Sequence, residues 1–256
     1  FKSPCSPCIT SKYTLTSFLF FIKLIKSTSF KTSPLEVLIN RVFSFIRFKS
    51  DETIKFSDVS FEYFNSDLKI FKDINLDIPK NKHTVITGPN GSGKSTLLGL
   101  SAGLLYPQSG SVKSHSDKFG YVGVTPLIIS GTLRENLLYG NKKVIEDKVL
   151  LENLDNFRVF NEDISSSLDK NVSNKTLSSG QLQKISFIRV LLSELDILLL
   201  DESTSNLDES SRKLIFTILQ DSNLTIINCT HNHQDFSYDE HFKVLVEDEK
   251  RLIVRN

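Results

Sequence analysis

The sequence predicts an α/β fold with a mostly parallel central sheet, an antiparallel β subdomain and a helical subdomain insertion, and three observations carry that expectation. Strand-like and helix-like segments alternate along most of the chain. A Gly-rich loop, GPNGSGKST (88–96), separates a compact β-branched run from a segment of helical spacing. A fully apolar run ending in two acids, DILLLDE (196–202), follows an amphipathic helix, as a strand covered on both faces does.

The elements follow in order. TIKFSDVSFEYF (53–64) alternates apolar and polar residues like a half-buried strand. A turn around Asn65–Asp67 leads to a second strand over 68–78, closed by Pro79. HTVITG (83–88) is a third strand, and KSTLLGLSAGLL (94–105) has helical spacing. A turn at 106–110 precedes short strands over 111–122. Residues 125–175 read as a mostly helical insertion: Thr132 and Glu135 form a T-x-x-E capping box, and 146–154 has helical periodicity. Beyond it come an amphipathic helix (182–195), the apolar strand, a helix (212–220), a buried strand (224–231) and a terminal hairpin (243–255).

Composition narrows the class. The 256 residues are 39% hydrophobic and 24% charged, with 11 Gly and 7 Pro, which excludes collagen-like, disordered and disulfide-stapled chains. The net charge of +1 makes no case for nucleic-acid binding. It is unevenly spread: residues 1–50 hold eight bases and one acid, leaving 23 bases and 29 acids in 51–256. That asymmetry predicts a boundary between a basic, partly apolar segment (1–50) and a separate domain (51–256). Three cysteines do not make a disulfide framework, and Cys5–Cys8, a C-x-x-C with no second pair, reads as two free thiols. The apolar run Leu15–Ile25 is shorter than the ~20 residues of a membrane span. With its basic flank (Lys23, Lys26, Lys31) it reads as the end of a truncated span, an interfacial helix or a tail. Met is absent and position 1 is Phe, so the chain reads as a fragment or a product whose start lies upstream.

The glycine-rich loop has the form G-x-x-x-x-G-K-[ST] between strand and helix. Gly88, Gly91 and Gly93, with Asn90, Ser92 and Thr96, let successive backbone N–H groups point at phosphate oxygens, and the following helix adds its positive end. Lys94 offers a cation for the β and γ phosphates, and Ser95 a hydroxyl for Mg²⁺. Nucleotide binding on a P-loop NTPase core follows. By itself the loop does not separate kinases, GTPases, helicases and transport ATPases.

Further residues make that separation. LSSGQ (177–181) precedes the amphipathic helix, LLLDE (198–202) ends the apolar strand, Ser205–Asp208 follow it, and His231 ends the next strand. In this set the sequence resembles the ATP-binding cassette (ABC) family over about residues 53–256. The resemblance implies that LSSGQ is the family signature, LLLDE its Walker B strand, 205–208 its D-loop and His231 its switch histidine. It also implies that Tyr63 stacks on adenine, and that GTLRENLLYG (131–140) opens the helical subdomain of an exporter-type cassette. Physical chemistry agrees. Asp201 at a buried strand's carboxyl end can reach Mg²⁺, Glu202 beside it can deprotonate water, and His231 can hydrogen-bond a γ-phosphate. His233 competes for that last role, and the strand end at Cys229–Thr230 favours His231. Ser178, Ser179, Gly180 and Gln181 open a helix N-terminus, an anion site that the resemblance assigns to a second subunit's ATP.

The implied function is an ATP-binding and ATP-hydrolysing domain of a membrane transporter. Its expected partners are a second ABC domain and a transmembrane permease domain, with no nucleic acid, and its expected place is the cytoplasmic face of the cell membrane. The alternative is a regulatory cassette with weak or no hydrolysis, and it rests on one departure. Val124 stands where such cassettes carry a Gln that touches Mg²⁺, so that either Thr125 partly substitutes or metal binding and coupling weaken.

Overall fold

The computed structural model describes residues 53–64, 69–160, 168–231, 233–234, 236–247 and 250–256. The expectations placed on residues 1–50 and on the turn at 65–67 lie outside the described residues.

Two sheets carry the fold. Strands β1 (Thr53–Glu62), β2 (Lys69–Pro79) and β4 (Ser109–Lys113) form an antiparallel sheet in the order β2-β1-β4. The alternation read in β1 is real: Ile54, Phe56, Val59 and Phe61 are buried. The second sheet has the order β11-β10-β3-β9-β8-β5. Its members are β3 (His83–Thr87), β5 (Phe119–Gly123), β8 (Ile197–Asp201), β9 (Thr225–Cys229), β10 (Glu240–Glu247) and β11 (Lys250–Arg255). All neighbours in it are parallel except β10 and β11. β3, β8 and β9 are buried almost throughout, as strands with helices on both faces must be. The C-terminal hairpin is therefore part of the central sheet: β10 pairs in parallel with β3 and turns into β11, which lies against β2 and joins the sheets.

The helices start where side chains satisfy their free N–H groups. Helix α1 (Lys94–Ser101) follows the Gly-rich loop and ends four residues earlier than its apolar spacing predicts, because Gly103 turns into the left-handed region at φ 68°. Helix α2 (Leu133–Leu138) has the capping box read from the sequence, with Thr132 and Glu135 bonded reciprocally. Helix α3 is Asp147–Asn156. The stretch 125–175 holds less helix than its texture suggests, only α2 and α3 among the described residues, with a two-strand ladder of β6 (Gly131–Thr132) and β7 (Asn171–Val172). Helix α4 (Ser179–Leu191) begins three residues before the predicted 182, since Ser178 and Gln181 form a second capping box, an arrangement that contributes about 1 kcal/mol. Helix α5 (Glu209–Gln220) likewise begins early, capped by Asp208.

The core has two parts on opposite faces of the parallel sheet. One joins α1 to both sheets through Phe56, Phe71, Ile86, Leu97 and Ile227. The other joins α2, α3, α4 and α5 to β8 through Leu133, Leu150, Ile185, Leu200 and Phe216. The insertion is thus packed on the main sheet's own core. Arg189 of α4 fastens it, donating to Asn136 O (2.6 Å) and Leu127 O (2.6 Å), with burial lowering its pKa to about 10.

Candidate nucleotide-binding and hydrolysis site

In an open parallel sheet, ligands collect beyond the carboxyl ends of the strands. β3, β9 and β8 are adjacent there, and each delivers one part of the expected constellation: the Gly-rich loop after Thr87, Thr230–His231 after Cys229, and Asp201–Glu202 at the end of β8.

The loop has the geometry of a phosphate cradle. Gly93 sits at φ 100°, where a Cβ would meet Ile70 and Phe71 at 2.9 Å, so only Gly serves. Gly91, at φ 75°, opens onto free space. No acid in the first turn of α1 offsets its positive end. Lys94 is buried, and its ammonium donates to the loop's own carbonyls, Gly88 O at 2.8 Å and Pro89 O at 3.1 Å. The Ser92 Oγ is buried without a hydrogen-bond partner among the described residues. Ser95 is exposed at the mouth while Thr96 is buried. An ammonium held only by carbonyls, an orphaned hydroxyl and an uncompensated helix end suit a polyanion, and the oxygen donors Ser95 and Asp201 suit a hard cation. The residues present therefore fit ATP with Mg²⁺.

Tyr63 is half-buried, edge-on to Phe61 at 5.0 Å, and its hydroxyl shares a 2.9 Å hydrogen bond with Thr96 Oγ1. The structure therefore brings it to the phosphate-loop helix.

The acidic pair is arranged asymmetrically. Asp201 ends β8 between Gly123 and Cys229 and accepts a 3.3 Å hydrogen bond from the Tyr121 hydroxyl. Burial first, then the Asp201 charge, drives the Tyr121 pKa upward, so the phenol remains a donor. Glu202 has left-handed backbone, φ 49°, and donates its N–H to Cys229 O at 2.9 Å. A non-Gly residue in that region costs on the order of 1–3 kcal/mol and is found at functional sites. Its Oε1 lies 3.2 Å from His231 Nε2, which is also 3.0 Å from Asn90 Oδ1 in the loop. Asn90, Glu202 and His231 thus converge. His233 does not join them: its ring packs against His241 (4.8 Å) and Tyr238 (6.0 Å).

Ser178–Gln181 cap α4, with the Gln181 amide donating to Val159 O at 3.1 Å. Ser178 and Ser179 are exposed. Gly180 packs beside Leu207 and Asn206 O, in the loop that follows Asp201–Glu202, so the signature tip shares the carboxyl end of the sheet. Val124 is 46% exposed and offers only hydrocarbon where Gln was expected.

Sequence reasoning missed several partners here. The Tyr121 hydroxyl on Asp201, the Gln183 amide on Gly123 O (3.0 Å) and the Asn206 amide on Val124 O (3.1 Å) join residues far apart in the chain. No local signal announces them.

The sequence has known relatives. A family profile described as ABC transporter matches residues 71–205. The chain is 34% identical over 199 residues to the ATP-dependent permease MDL1 of Candida albicans, covering 70% of this chain and 29% of that protein. It is 34% identical over 196 residues to the ABC multidrug transporter mdr2 of Aspergillus fumigatus, covering 70% and 25%. It is 36% identical over 180 residues to the ABC transporter B family member 22 of Arabidopsis thaliana, covering 63% and 15%. The match thus takes in between 15% and 29% of the length of these relatives. The chain belongs to the ABC transporter family and carries its ATP-binding, ATPase domain.

Proposed function

We propose that residues 51–256 form one nucleotide-binding domain that hydrolyses ATP to drive an exporter-type ABC transporter. The observation that carries the proposal is the meeting of Asn90, Glu202 and His231 beside Lys94 and Asp201 at the ends of adjacent strands.

Gly88–Thr96 wrap the phosphates with backbone N–H groups, and Lys94 gives up its carbonyl contacts to meet the β and γ phosphates. Ser95 and Asp201 hold Mg²⁺, with the Tyr121 hydroxyl steadying Asp201. The bound ion neutralises charge on the phosphate oxygens. Glu202, aimed by its left-handed backbone, accepts the proton of the attacking water. His231 reads the γ-phosphate with the nitrogen it now turns toward Asn90. Tyr63 flanks the adenine side of the loop. Ser178–Gln181 present the α4 N-terminus to a nucleotide on a second ABC domain, so two protomers share two ATP. A transmembrane permease domain, fused or separate, takes up the motion at the cytoplasmic face of the membrane. Among the described residues no helix is long and apolar enough to cross a membrane, which leaves that role to other sequence.

Glu202→Gln is the test. Mg²⁺-dependent phosphate release falls about 10²–10⁴-fold, the range of general-base catalysis, while ATP affinity stays within a few-fold of wild type. Full phosphate release by this variant overturns the assignment. The exposed Val124 favours a second reading, a regulatory module that binds ATP and scarcely turns it over. In that case wild type is already slow and Glu202→Gln changes little.

A further inference from the structure

The ladder between β1 and β4 ends at Ser60, opposite Ser109. Two residues further along β1 a side chain takes over from the strand. Gln108, in the turn between α1 and β4, accepts from the Glu62 N–H with its Oε1 at 2.9 Å and donates from Nε2 to Glu62 O at 2.7 Å. Its own N–H donates to Ser60 O at 2.9 Å. A carboxamide carries a donor and an acceptor side by side, as a peptide unit does, so Gln108 adds one rung to the ladder without another residue of strand. The turn that delivers it is tightly set: Gly110 lies at φ 79°, and a Cβ there would meet the Ser57 and Asp58 carbonyl oxygens at 2.4 and 2.3 Å.

Gln108 is exposed, so in its absence water would satisfy the Glu62 N–H and C=O. The two bonds therefore add little to stability, and what they fix is the place of the strand end. Glu62 is the last residue of β1, and Tyr63 follows it directly. The Tyr63 hydroxyl is held at its far end by Thr96 Oγ1 of α1, at 2.9 Å, with the ring edge-on to Phe61 at 5.0 Å. One stretch of chain, α1 and the turn after it, thus grips Tyr63 twice: at the hydroxyl through Thr96, and at the backbone through Gln108 and Glu62.

We propose that Gln108 is a positioning residue for recognition of the nucleotide base: through the Glu62 backbone it fixes the plane in which the Tyr63 ring meets adenine. This role rests on the reading above that Tyr63 flanks adenine. A glutamate in place of Gln108 still accepts from the Glu62 N–H but sets a second acceptor against Glu62 O, so the carboxamide is required. The effect falls on the base and not on the phosphates, which the Gly-rich loop takes up with its own backbone.

Isothermal titration calorimetry of the full chain with ATP and with inorganic tripolyphosphate, both with Mg²⁺, tests it, since the second probe has the phosphates without the base. Stacking on an aromatic ring multiplies affinity about 5–150-fold. Tyr63→Ala weakens ATP binding by a factor in that range and leaves tripolyphosphate within about twofold of wild type. Gln108→Ala and Gln108→Glu, both surface changes, weaken ATP about fivefold, again with tripolyphosphate within about twofold. In the Tyr63→Ala background Gln108→Ala adds less than about twofold, because no ring remains to place. If Tyr63→Ala weakens ATP and Gln108→Ala does not, Gln108 has no positioning role and the adenine reading stands. Equal losses for both probes in Gln108→Ala, or its full loss repeated in the Tyr63→Ala background, also overturn the proposal. Unchanged ATP binding in Tyr63→Ala overturns the adenine reading itself, and the role of Gln108 with it.

Discussion

The two ends of β3 and β9 carry comparable numbers of polar side chains and treat them differently. At the amino ends, His83 opens β3 with its ring stacked near Phe236 (5.1 Å) and Phe216 (5.6 Å), and its backbone N–H bonded to Asp239 (2.8 Å). Thr225 opens β9 by accepting the N–H of Asn81 (2.8 Å) and sharing a bond with His115 (2.9 Å). Lys82 pairs with the same Asp239 at 2.8 Å. At the carboxyl ends, Lys94 folds back on its own loop, Ser92 Oγ is orphaned, and His231 is exposed between Asn90 and Glu202. Even the left-handed residues differ: Asn81 (φ 55°) near the amino end is a type that tolerates the conformation, whereas Glu202 (φ 49°) at the carboxyl end is not. At the amino end folding satisfies most of these groups, with the buried Thr84 Oγ1 left without a hydrogen-bond partner among the described residues. The other holds groups whose best partners are not in the chain, the mark of a site where stability is given up for binding.

That contrast breaks most visibly by removing the aromatic support of the amino end. Phe216 is buried on α5, 3.7 Å from the Phe236 ring in centroid distance and stacked on His83. Phe216→Ala destabilises the chain by about 3–5 kcal/mol, the cost of a large aromatic cavity, measurable as a lowered midpoint in urea. The folded fraction binds ATP with unchanged affinity. A weakened ATP affinity of the folded fraction would show that the two ends are not separable.

A smaller effect follows from His83. Burial depresses its pKa to about 4, against 6.5 for an ordinary imidazole, with Asp239 pulling weakly the other way. The folded state therefore refuses a proton that the unfolded chain accepts between those values. Stability is complete above pH 6.5 and falls as pH drops from 6.5 toward 4, by up to about 1.4 kcal/mol per pH unit. His83→Phe, which keeps an aromatic ring against Phe216 and Phe236, lowers the slope of that stretch of a stability–pH curve. The lowered pKa of Asp239 acts only below the ordinary carboxylate value of 3.8, whereas burial also lowers the His115 and His241 pKa values from 6.5, so those two rings keep part of the slope. An unchanged slope in His83→Phe would locate the proton uptake elsewhere.

The same contrast explains what the sequence disclosed. The Gly88–Thr96 loop was legible because its chemistry is local: glycine conformation, backbone N–H groups and a helix start lie within nine consecutive residues. Asp201 and Glu202 were legible because a wholly apolar strand must stop at something polar. His231 was favoured over His233 by the strand end, and the structure brings it to Asn90 and Glu202. Helices α4 and α5 read short because their apolar period starts only after the caps at Ser178 and Asp208, whose hydrogen bonds begin the helix a turn earlier. The pairings Gly123–Gln183, Val124–Asn206 and Tyr121–Asp201 span 60, 82 and 80 residues. Tyr121 and Asp201 meet on the adjacent strands β5 and β8, while Gln183 comes from α4 and Asn206 from the loop after β8, and no local periodicity encodes contacts between such distant elements. The parallel partnership of β10 with β3 was hidden for the same reason, since the hairpin pattern of 243–255 is satisfied with or without it.

The strain at Glu202 is the finest point on which the two ends differ, and glycine measures it. Asp201 has ordinary strand backbone and Glu202 the left-handed form, one residue apart. At Asp201, Gly is expected to be less stable than Ala by roughly 0.5–1 kcal/mol, because glycine loses more backbone entropy on folding. At Glu202 the order reverses, since Ala keeps the steric penalty of the left-handed region, about 1–2 kcal/mol, and Gly does not. The comparison uses each position as its own control: Glu202→Gly against Glu202→Ala, and Asp201→Gly against Asp201→Ala, by urea unfolding without nucleotide. All four variants lose a carboxylate, so charge cancels within each pair and the difference reports backbone alone. Opposite signs at the two positions establish that Glu202 is held under conformational load. The same sign at both would mean that Glu202 is placed by its hydrogen bond to Cys229 O and by His231, with no strain to release.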